Sequence, residues 1–397
     1  MLSPIDESGI AAAVSEAAAV REPLLVLGNG TKSGMLRPVQ AAGTITTEGL
    51  TGITLYAPKE LIISARAGTP LHEIETTLAE HGQHLIAEPP DLSLLLGKTA
   101  NTQTLGGVVA TNLSGPRRVA WGAMRDHVMG IRAVTGRGEV IHSGGRVLKN
   151  VTGLDLCKLL TGSHGTLGII TEITLKVLPA PEAVGTIVIP GLDAENAVEA
   201  LSAALGSPYG VSGAAWLPAD AAALSPVPIA AGQSIALIRV EDFAASVAYR
   251  IEKLRHELGF SGGEILDDAA SRTLWRAVRD VRMLPVTVGD GIWRVSVRPS
   301  SGPGVLRAVA GAAGYLDWGG GLVWFAGPAT ETTHRTIEAA ARAAGGTWTM
   351  MRAPDSLRNA VDVVPPEAAP LAAITRRVKR AMDPRGILNP GRIYSGL

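Results

Sequence analysis

The sequence predicts an α+β chain of two folded domains closed by a returning C-terminal segment. Three observations carry that expectation. The length of 397 residues with 46% hydrophobic content suffices for two or three domains with full cores. Short apolar, β-branched runs interleave with alanine-rich helical stretches along the chain. Separated glycine-rich loops lie against such runs in the N-terminal half, which ends at a Pro-Ala-Pro-Glu linker over 179–182.

In order along the chain, a helix follows Ser3 or Pro4, and Leu24-Leu25-Val26-Leu27 reads as a short buried strand. A glycine loop at 27–34 and a strand at 43–46 complete a small α/β unit over residues 1–55. In residues 56–181, a strand at 61–67 precedes a helix that starts at Thr69-Pro70, where proline suits the first turn, and stops near His81-Gly82. A strand at 84–87 follows. Strands at 130–135 and 139–143 flank Gly136-Arg137-Gly138, a hairpin signal, and a strand at 167–178 ends the domain. Residues 182–350 alternate strands (185–189, 234–240, 291–297, 321–325) with helices (194–205, 245–258, 332–344), which makes a second α+β domain. Residues 351–397 hold a helix at 370–382 and a turn-rich run from Asp383 to Gly391, expected to return to the first domain. No period of about 20 to 50 residues repeats, so a solenoid is excluded.

Charge and cysteine content narrow the function classes. Lys plus Arg and Asp plus Glu number 36 each, so no field draws the chain to nucleic acid, and no nucleic-acid partner is expected. The one cysteine, Cys157, cannot close an internal disulfide and, among Leu154, Leu156, Leu159 and Leu160, reads as a buried thiol; a reducing cytoplasm is the expected location. It also forbids an iron–sulfur cluster within this chain. The N-terminus carries Asp6, Glu7 and Glu16 and lacks the apolar core of a signal peptide. No uncharged apolar run reaches the ~18 residues of a transmembrane helix, which leaves membrane association through partners open.

The glycine loops carry the chemistry. In LGNGTKSG, backbone N–H groups can approach an anion closely, Asn29, Thr31 and Ser33 add side-chain donors, and Lys32 adds a countercharge. The loop lacks the Walker A spacing and is not a GxGxxG in a βαβ unit, so a plain structural turn stays open beside the anion nest. Gly106-Gly107 followed by VVATNLSG reads as a loop feeding a helix start whose orphan N–H groups suit a diphosphate, or as a helix packed tightly on a strand.

Together with Gly165-Thr166-Leu167-Gly168-Ile169-Ile170-Thr171, these loops in this order resemble the FAD-binding domain of the vanillyl-alcohol oxidase / p-cresol methylhydroxylase (PCMH-type) flavoprotein family. The resemblance covers roughly 24–181 and the closing NPG segment. It implies two α+β subdomains (about 1–55 and 56–181) clasping an extended FAD, then a cap domain at 182–350. It implies that Gly28, Asn29, Gly30, Thr31, Lys32 and Ser33 cradle the diphosphate, and that Thr104, Gly106, Gly107, Thr111, Asn112 and Gly115 border the diphosphate, ribityl chain or ring. Gly168 and Ile170 would offer backbone hydrogen bonds to the adenine or flavin edge, and Asn389 would sit near the flavin. A narrower set, EPPD, WGAMRDHVMG, GGRVLKNVTGLDLCKLLTGSHGTLG and YLDWGGG, is similar to the FAD-binding E subunits of bacterial glycolate oxidases. That likeness implies a subunit supporting oxidation of glycolate to glyoxylate and relaying electrons, with a catalytic flavin subunit and an iron–sulfur subunit as partners.

The departures are informative too. Asn29, Thr31, Ser114 and Gly115 fill the places where covalent flavin members carry His or Cys, so FAD is expected to be non-covalent. No HGHxGDGNxH-like motif occurs in 183–397, whose histidines are His256 and His334, so no metal is expected. Three candidates for catalysis remain, each with a bland alternative. Lys149 would stabilise an anionic reduced flavin, or start a helix in water. His164 would act as acid or base, or hold structure. Arg118, beside Arg117, would clasp a carboxylate, or form a salt bridge with Asp126 or Glu172. Two rival functions stay open: a self-sufficient FAD-dependent 2-hydroxy-acid dehydrogenase, and a non-catalytic scaffold subunit.

Overall fold

The computed structural model describes residues 1–145, 153–229, 232–259 and 263–397, and the chain divides into two units. The first is assembled from residues 1–114, 123–180 and 366–397, the second from 115–122 and 181–365. Lys149 lies outside the described residues. No helix among the described residues is long and apolar enough to cross a membrane.

The first unit contains two sheets. The helix Glu7–Val20 is capped by the Asp6 carboxylate, which accepts from Gly9 N at 2.7 Å, and it ends where Arg21 turns left-handed. Its buried residues Ile10 and Val14 pack with Leu24 and Ile45 of the parallel pair β1 (Leu24–Leu27) and β2 (Gly43–Thr46). The larger sheet joins β3 (Ile53–Ala57), β4 (Ile62–Arg66), β6 (Val128–Val134), β7 (Val140–Gly144) and β8 (Ile169–Pro179) in the order β3-β4-β8-β6-β7, while β5 (Gln83–Leu85) pairs with the far end of β8. The long strand β8 buries alternate residues from Thr171 to Leu178, the period-two pattern of a sheet with one core face. Ile173 and Leu175 meet Leu71, Ile74 and Leu78 from the helix Leu71–Ala79 and Leu105 and Val108 from the helix Leu105–Thr111.

The second unit is an antiparallel sheet of eight described strands. They are β9 (Ala183–Pro190), β10 (Val211–Leu217), β11 (Ile235–Asp242), β12 (Glu264–Leu266), β13 (Asp290–Ser296), β14 (Ala313–Asp317), β15 (Leu322–Pro328) and β16 (Thr347–Arg352), in the order β12-β9-β11-β10-β14-β15-β13-β16. The expected helices appear as Ala194–Gly206, Ala244–Glu257 and Glu331–Ala343. Sequence reading leaves out β10, β12, β14, β16 and the helix Asp268–Arg279. The strand β10, VSGAAWL, is buried at every position but is built from small residues of low β-propensity, so its pairing on both sides decides its conformation. The second unit runs to Pro365, past the expected boundary at 350, because Met350 N in β16 bonds to Val363 O.

The short strip 115–122 belongs to the second unit through one buried ion cluster. Arg117 forks onto Glu241, with Nε 3.1 Å from both carboxylate oxygens and Nη2 2.5 Å from Oε2. Glu241 also meets Arg239 at 2.9 Å and accepts from Ser212 Oγ. Burial by itself would raise this carboxyl, but Arg239 and Arg117 hold it far below the ordinary range. The carboxylate that Arg117 clasps is therefore Glu241 of its own chain, in place of the expected Asp126 or Glu172.

The returning segment is fixed to the first unit by a buried pair. Lys379, on the helix Ala369–Met382, donates to Asp383 Oδ2 at 2.7 Å, Thr166 O at 2.7 Å and Leu388 O at 2.9 Å. Asp383 in turn accepts from Ile387 N and Leu388 N. Removing the lysine strands a buried carboxylate and two carbonyls. Lys379→Met is expected to cost about 3 kcal/mol of stability, read as a lowered midpoint in chemical denaturation; an unchanged midpoint would mean the pair does not hold the segment.

Candidate cofactor cleft

A cleft in the first unit is bounded by three loops and the C-terminal segment. The first loop leaves β1 at Leu27. Its turn is closed by Ser33 N to Gly30 O at 3.2 Å and Met35 N to Lys32 O at 3.2 Å, and Gly30 takes φ of 65°, where a side chain is strained. Thr46 Oγ1 on β2 fixes Gly28 O at 2.9 Å, and Asn29 Nδ2 reaches Thr102 O at 3.0 Å.

The second loop enters the helix Leu105–Thr111 through Thr104, whose hydroxyl accepts from Gly107 N at 3.2 Å. Gly106 is pressed against the chain just past β4, its N bonding to Ala67 O at 2.7 Å. A Cβ there would meet Ala67 Cβ at 2.8 Å and Ala67 O at 2.9 Å, so the helix start can approach this closely only as glycine.

The third loop precedes β8. His164 N bonds to Ala110 O at 2.8 Å, and His164 takes φ of 53°. Asn389 joins this loop to β1. Its side-chain Oδ1 accepts from Val26 N at 2.7 Å, and Nδ2 donates to His164 O at 2.8 Å and Val26 O at 3.3 Å. Three residues on, Arg392 holds the first loop from behind, donating to Lys32 O at 2.8 Å, Arg37 O at 2.9 Å and Ser33 O at 3.3 Å.

Lys32 and His164 face the cleft together with Arg392. Lys32 is 9% exposed, and its ammonium contacts Gln103 Oε1 at 3.0 Å and Thr31 Oγ1 at 3.4 Å. Burial pulls its pKa down to about 8, opposed by the charge of Asp91. Burial would raise Asp91, yet hydrogen bonds from Ser93 Oγ, Asn101 N and Ser93 N, with Lys32 nearby, keep it below the usual carboxylate range. Burial, with Arg392 adding to it, lowers His164 to about 3, so its imidazole stays neutral at physiological pH and cannot serve there as a proton reservoir.

The residues expected at the cofactor sort into two groups. Gly28, Asn29, Gly30, Thr31, Lys32, Ser33, Thr104, Gly106, Gly107, Thr111, Gly168, Ile170 and Asn389 all line the one cleft. Asn112 and Gly115 are placed elsewhere. Asn112 ends the helix with φ of 51° and accepts from Arg125 N through Oδ1, while Gly115 belongs to the second unit and accepts from Trp318 Nε1. Arg118 also belongs to the second unit. Sequence reading missed Thr47, Ala110, Gly165 and Arg392 in the lining. For Arg392 the signal was present: a basic residue directly after the turn-forming NPG.

The donor set fits an anionic dinucleotide: the walls are backbone and small side chains, and the buried cation at Lys32 carries a charge its own neighbours do not fully balance. Such a cleft, in this fold, is that of an FAD-binding oxidoreductase. Residues 1–144 match the family described as FAD binding domain. The chain is 34% identical over 384 residues to the glycolate oxidase subunit GlcE of Escherichia coli strain K12, covering 97% of this chain and 96% of that protein. It is 33% identical over 177 residues to a D-lactate dehydrogenase of Archaeoglobus fulgidus, covering 44% of this chain and 38% of that one. In fold it is similar to an alkyldihydroxyacetonephosphate synthase, with TM-score 0.71 at 17% identity over 98% of this chain and 75% of that chain. This chain belongs to the glycolate oxidase subunit GlcE family, and its cofactor is FAD.

A cation buried without its anion weakens the protein that holds it. A folded pKa of about 8 against 10.5 for the free side chain makes charged Lys32 a penalty of about 3 kcal/mol below pH 8, which fades as pH rises from 8 toward 10.5. FAD-free Lys32→Met is therefore expected to unfold at a higher midpoint than the FAD-free parent at pH 7. The gap should shrink by pH 10, and a variant no more stable at pH 7 would contradict this.

Proposed function

We propose that this chain is the FAD-binding subunit of a glycolate oxidase complex that oxidises glycolate to glyoxylate, and that it relays electrons to partner subunits. The observation that carries the reading is the glycine-rich cleft with the buried Lys32 cation, in a chain similar along nearly its whole length to a glycolate oxidase subunit. The FAD would be held non-covalently, since Asn29, Thr31, Ser114 and Gly115 stand where covalent flavin members carry His or Cys.

The chain's residues divide the work. Lys32 and the N–H groups of the loop from Gly28 to Ser33 hold the diphosphate, and Thr104 and Gly107 hold its other side. Gly168 and Ile170 present backbone groups to a ring edge. Asn389 and Arg392, which also line the cleft, fix its loops through backbone carbonyls. When bound, FAD would supply a redox centre for electrons that the catalytic flavin subunit takes from glycolate. His164 can donate one hydrogen bond and accept another but is too weakly basic to hold the hydroxyl proton. Because Cys157 is buried and alone, onward transfer to iron–sulfur centres requires another subunit. We infer two partners, a catalytic flavin subunit and an iron–sulfur subunit, and through them any membrane association.

The visible spectrum of the purified chain under anaerobic glycolate tests this. The chain alone should show oxidised-flavin bands that persist, and adding the partner subunits should bleach them. Bleaching of the chain alone would make it a self-sufficient dehydrogenase, and a colourless chain that takes up no FAD would overturn the reading.

A further inference from the structure

The helix Ala369–Met382 of the first unit fully buries only Lys379. A surface helix normally lays an apolar stripe against its own domain. Here Leu371 and Ile374 stay 52% and 49% exposed, and Val378 is only partly covered. Beside that stripe lies an open cavity of about 300 Å³, walled by Leu159, Leu167, Ile374, Val378, Ile393 and Leu397. Lys379, also at its edge, is spent on Asp383 and two carbonyls, so the free surface of the cavity is largely apolar.

The cavity shares a wall with the cofactor cleft. Ser163, Thr166 and Leu167 of the third loop line the cavity, while His164, Gly165 and Gly168 of the same loop line the cleft. A single loop thus parts the two spaces. The outer side of the helix is basic. No Asp or Glu occurs from 368 to 382, and Arg377 and Arg380 follow Ile374 at three-residue spacing, which sets them along one edge. Both are exposed, as is Arg376 beside them, and among the described residues no carboxylate pairs with any of the three. Glu367, just before the helix, is engaged within the fold, accepting from Thr375 Oγ1 at 2.9 Å. The whole chain carries no net charge, so the positive excess is local to this patch.

We propose that this helix edge and the cavity beside it are the docking site for another subunit of the glycolate oxidase complex, engaged through an acidic segment that inserts an apolar side chain. Removing that side chain and Ile374 from water drives the association. Carboxylates flanking it meet Arg377 and Arg380, which sets the register and speeds encounter. An uncharged apolar segment would fill the cavity and leave the arginines unmatched, and a flat anionic bilayer would meet the arginines without entering the cavity. The two features together call for an acidic segment of a protein. Its subunit then stands one loop away from the cofactor cleft, a place that suits an electron relay. The assignment deepens the reading above and rests on the chain working within a complex.

The test measures binding of the full FAD-loaded chain to the purified catalytic flavin and iron–sulfur subunits, singly and together, at low and at high salt, with phosphatidylglycerol vesicles as a separate arm. Ile374→Asp should weaken binding by roughly tenfold or more at both salt concentrations. The double variant Arg377→Glu with Arg380→Glu should weaken it by a similar factor at low salt and by less at high salt, mostly through slower association, and the double Lys variant should stay close to the parent. The flavin spectrum should be unchanged in all of them; if Ile374→Asp does not fold, Ile374→Ser takes its place. Parental affinity in both the Ile374 and the Glu variants would overturn the docking site and leave the complex standing. A parent chain that binds neither subunit, singly or together, would overturn the complex and the site with it. Vesicle binding that depends on Arg377 and Arg380, with subunit affinities untouched, would give the surface to a membrane and overturn the proposal.

Discussion

The first unit depends on one side-chain amide. Asn389 bonds at once to Val26 N, Val26 O and His164 O, so a residue close to the C-terminus joins the strand that begins the cofactor cleft to the loop that ends it. The same segment adds to the edge of β1 through Leu24 N to Ile387 O and Asn389 N to Leu24 O. Arg392 then satisfies the Lys32 and Ser33 carbonyls of the glycine loop and that of Arg37 just beyond it. A loop meant to turn its N–H groups toward a ligand leaves its carbonyls pointing away, and buried carbonyls need donors. The returning segment supplies them. Lys379 and Asp383 hold that segment in place, so the shape of an N-terminal loop is set by residues some 360 positions later in the chain.

Electrostatics explains why such support is needed. The cleft removes a lysine from water and gives it only amide and hydroxyl partners at short range, with Asp91 acting at a distance. Where stability alone is at stake, a buried cation is normally closely paired. At Lys32 the imbalance favours an anionic ligand, because the free energy stored in the empty site is released on binding. In the second unit the Arg117–Glu241–Arg239 cluster shows the contrasting case, a buried carboxylate closely matched by two guanidinium groups.

Much of this was legible in the sequence where local rules decide. The strand Leu24–Leu27, the hairpin at Gly136-Arg137-Gly138, the helix after Thr69-Pro70 and the alanine-rich helices of the second unit follow from periodicity and turn chemistry, with ends shifted by a residue or two. The cleft was legible as well, since glycines at 28, 30, 106, 107 and 168 mark places where backbone must approach closely. Three features were not. The strand β10 is too poor in β-branched residues to declare itself. The grouping of 115–122 with the second unit rests on Arg117 finding Glu241, a partner 124 residues away. The loss of Asn112 and Gly115 from the cleft follows from local geometry: Asn112 is spent ending a helix, and Gly115 lies with the strip that Glu241 claims.

The central claim is that the loop from Gly28 to Ser33 and the charge on Lys32 hold a diphosphate. It is tested most directly by comparing the affinities of FAD and riboflavin, which lacks the diphosphate, for the parent protein and for Lys32→Met. The account predicts that the substitution weakens FAD by roughly tenfold or more and leaves riboflavin unchanged. Equal loss for both flavins, or no loss for FAD, would contradict it.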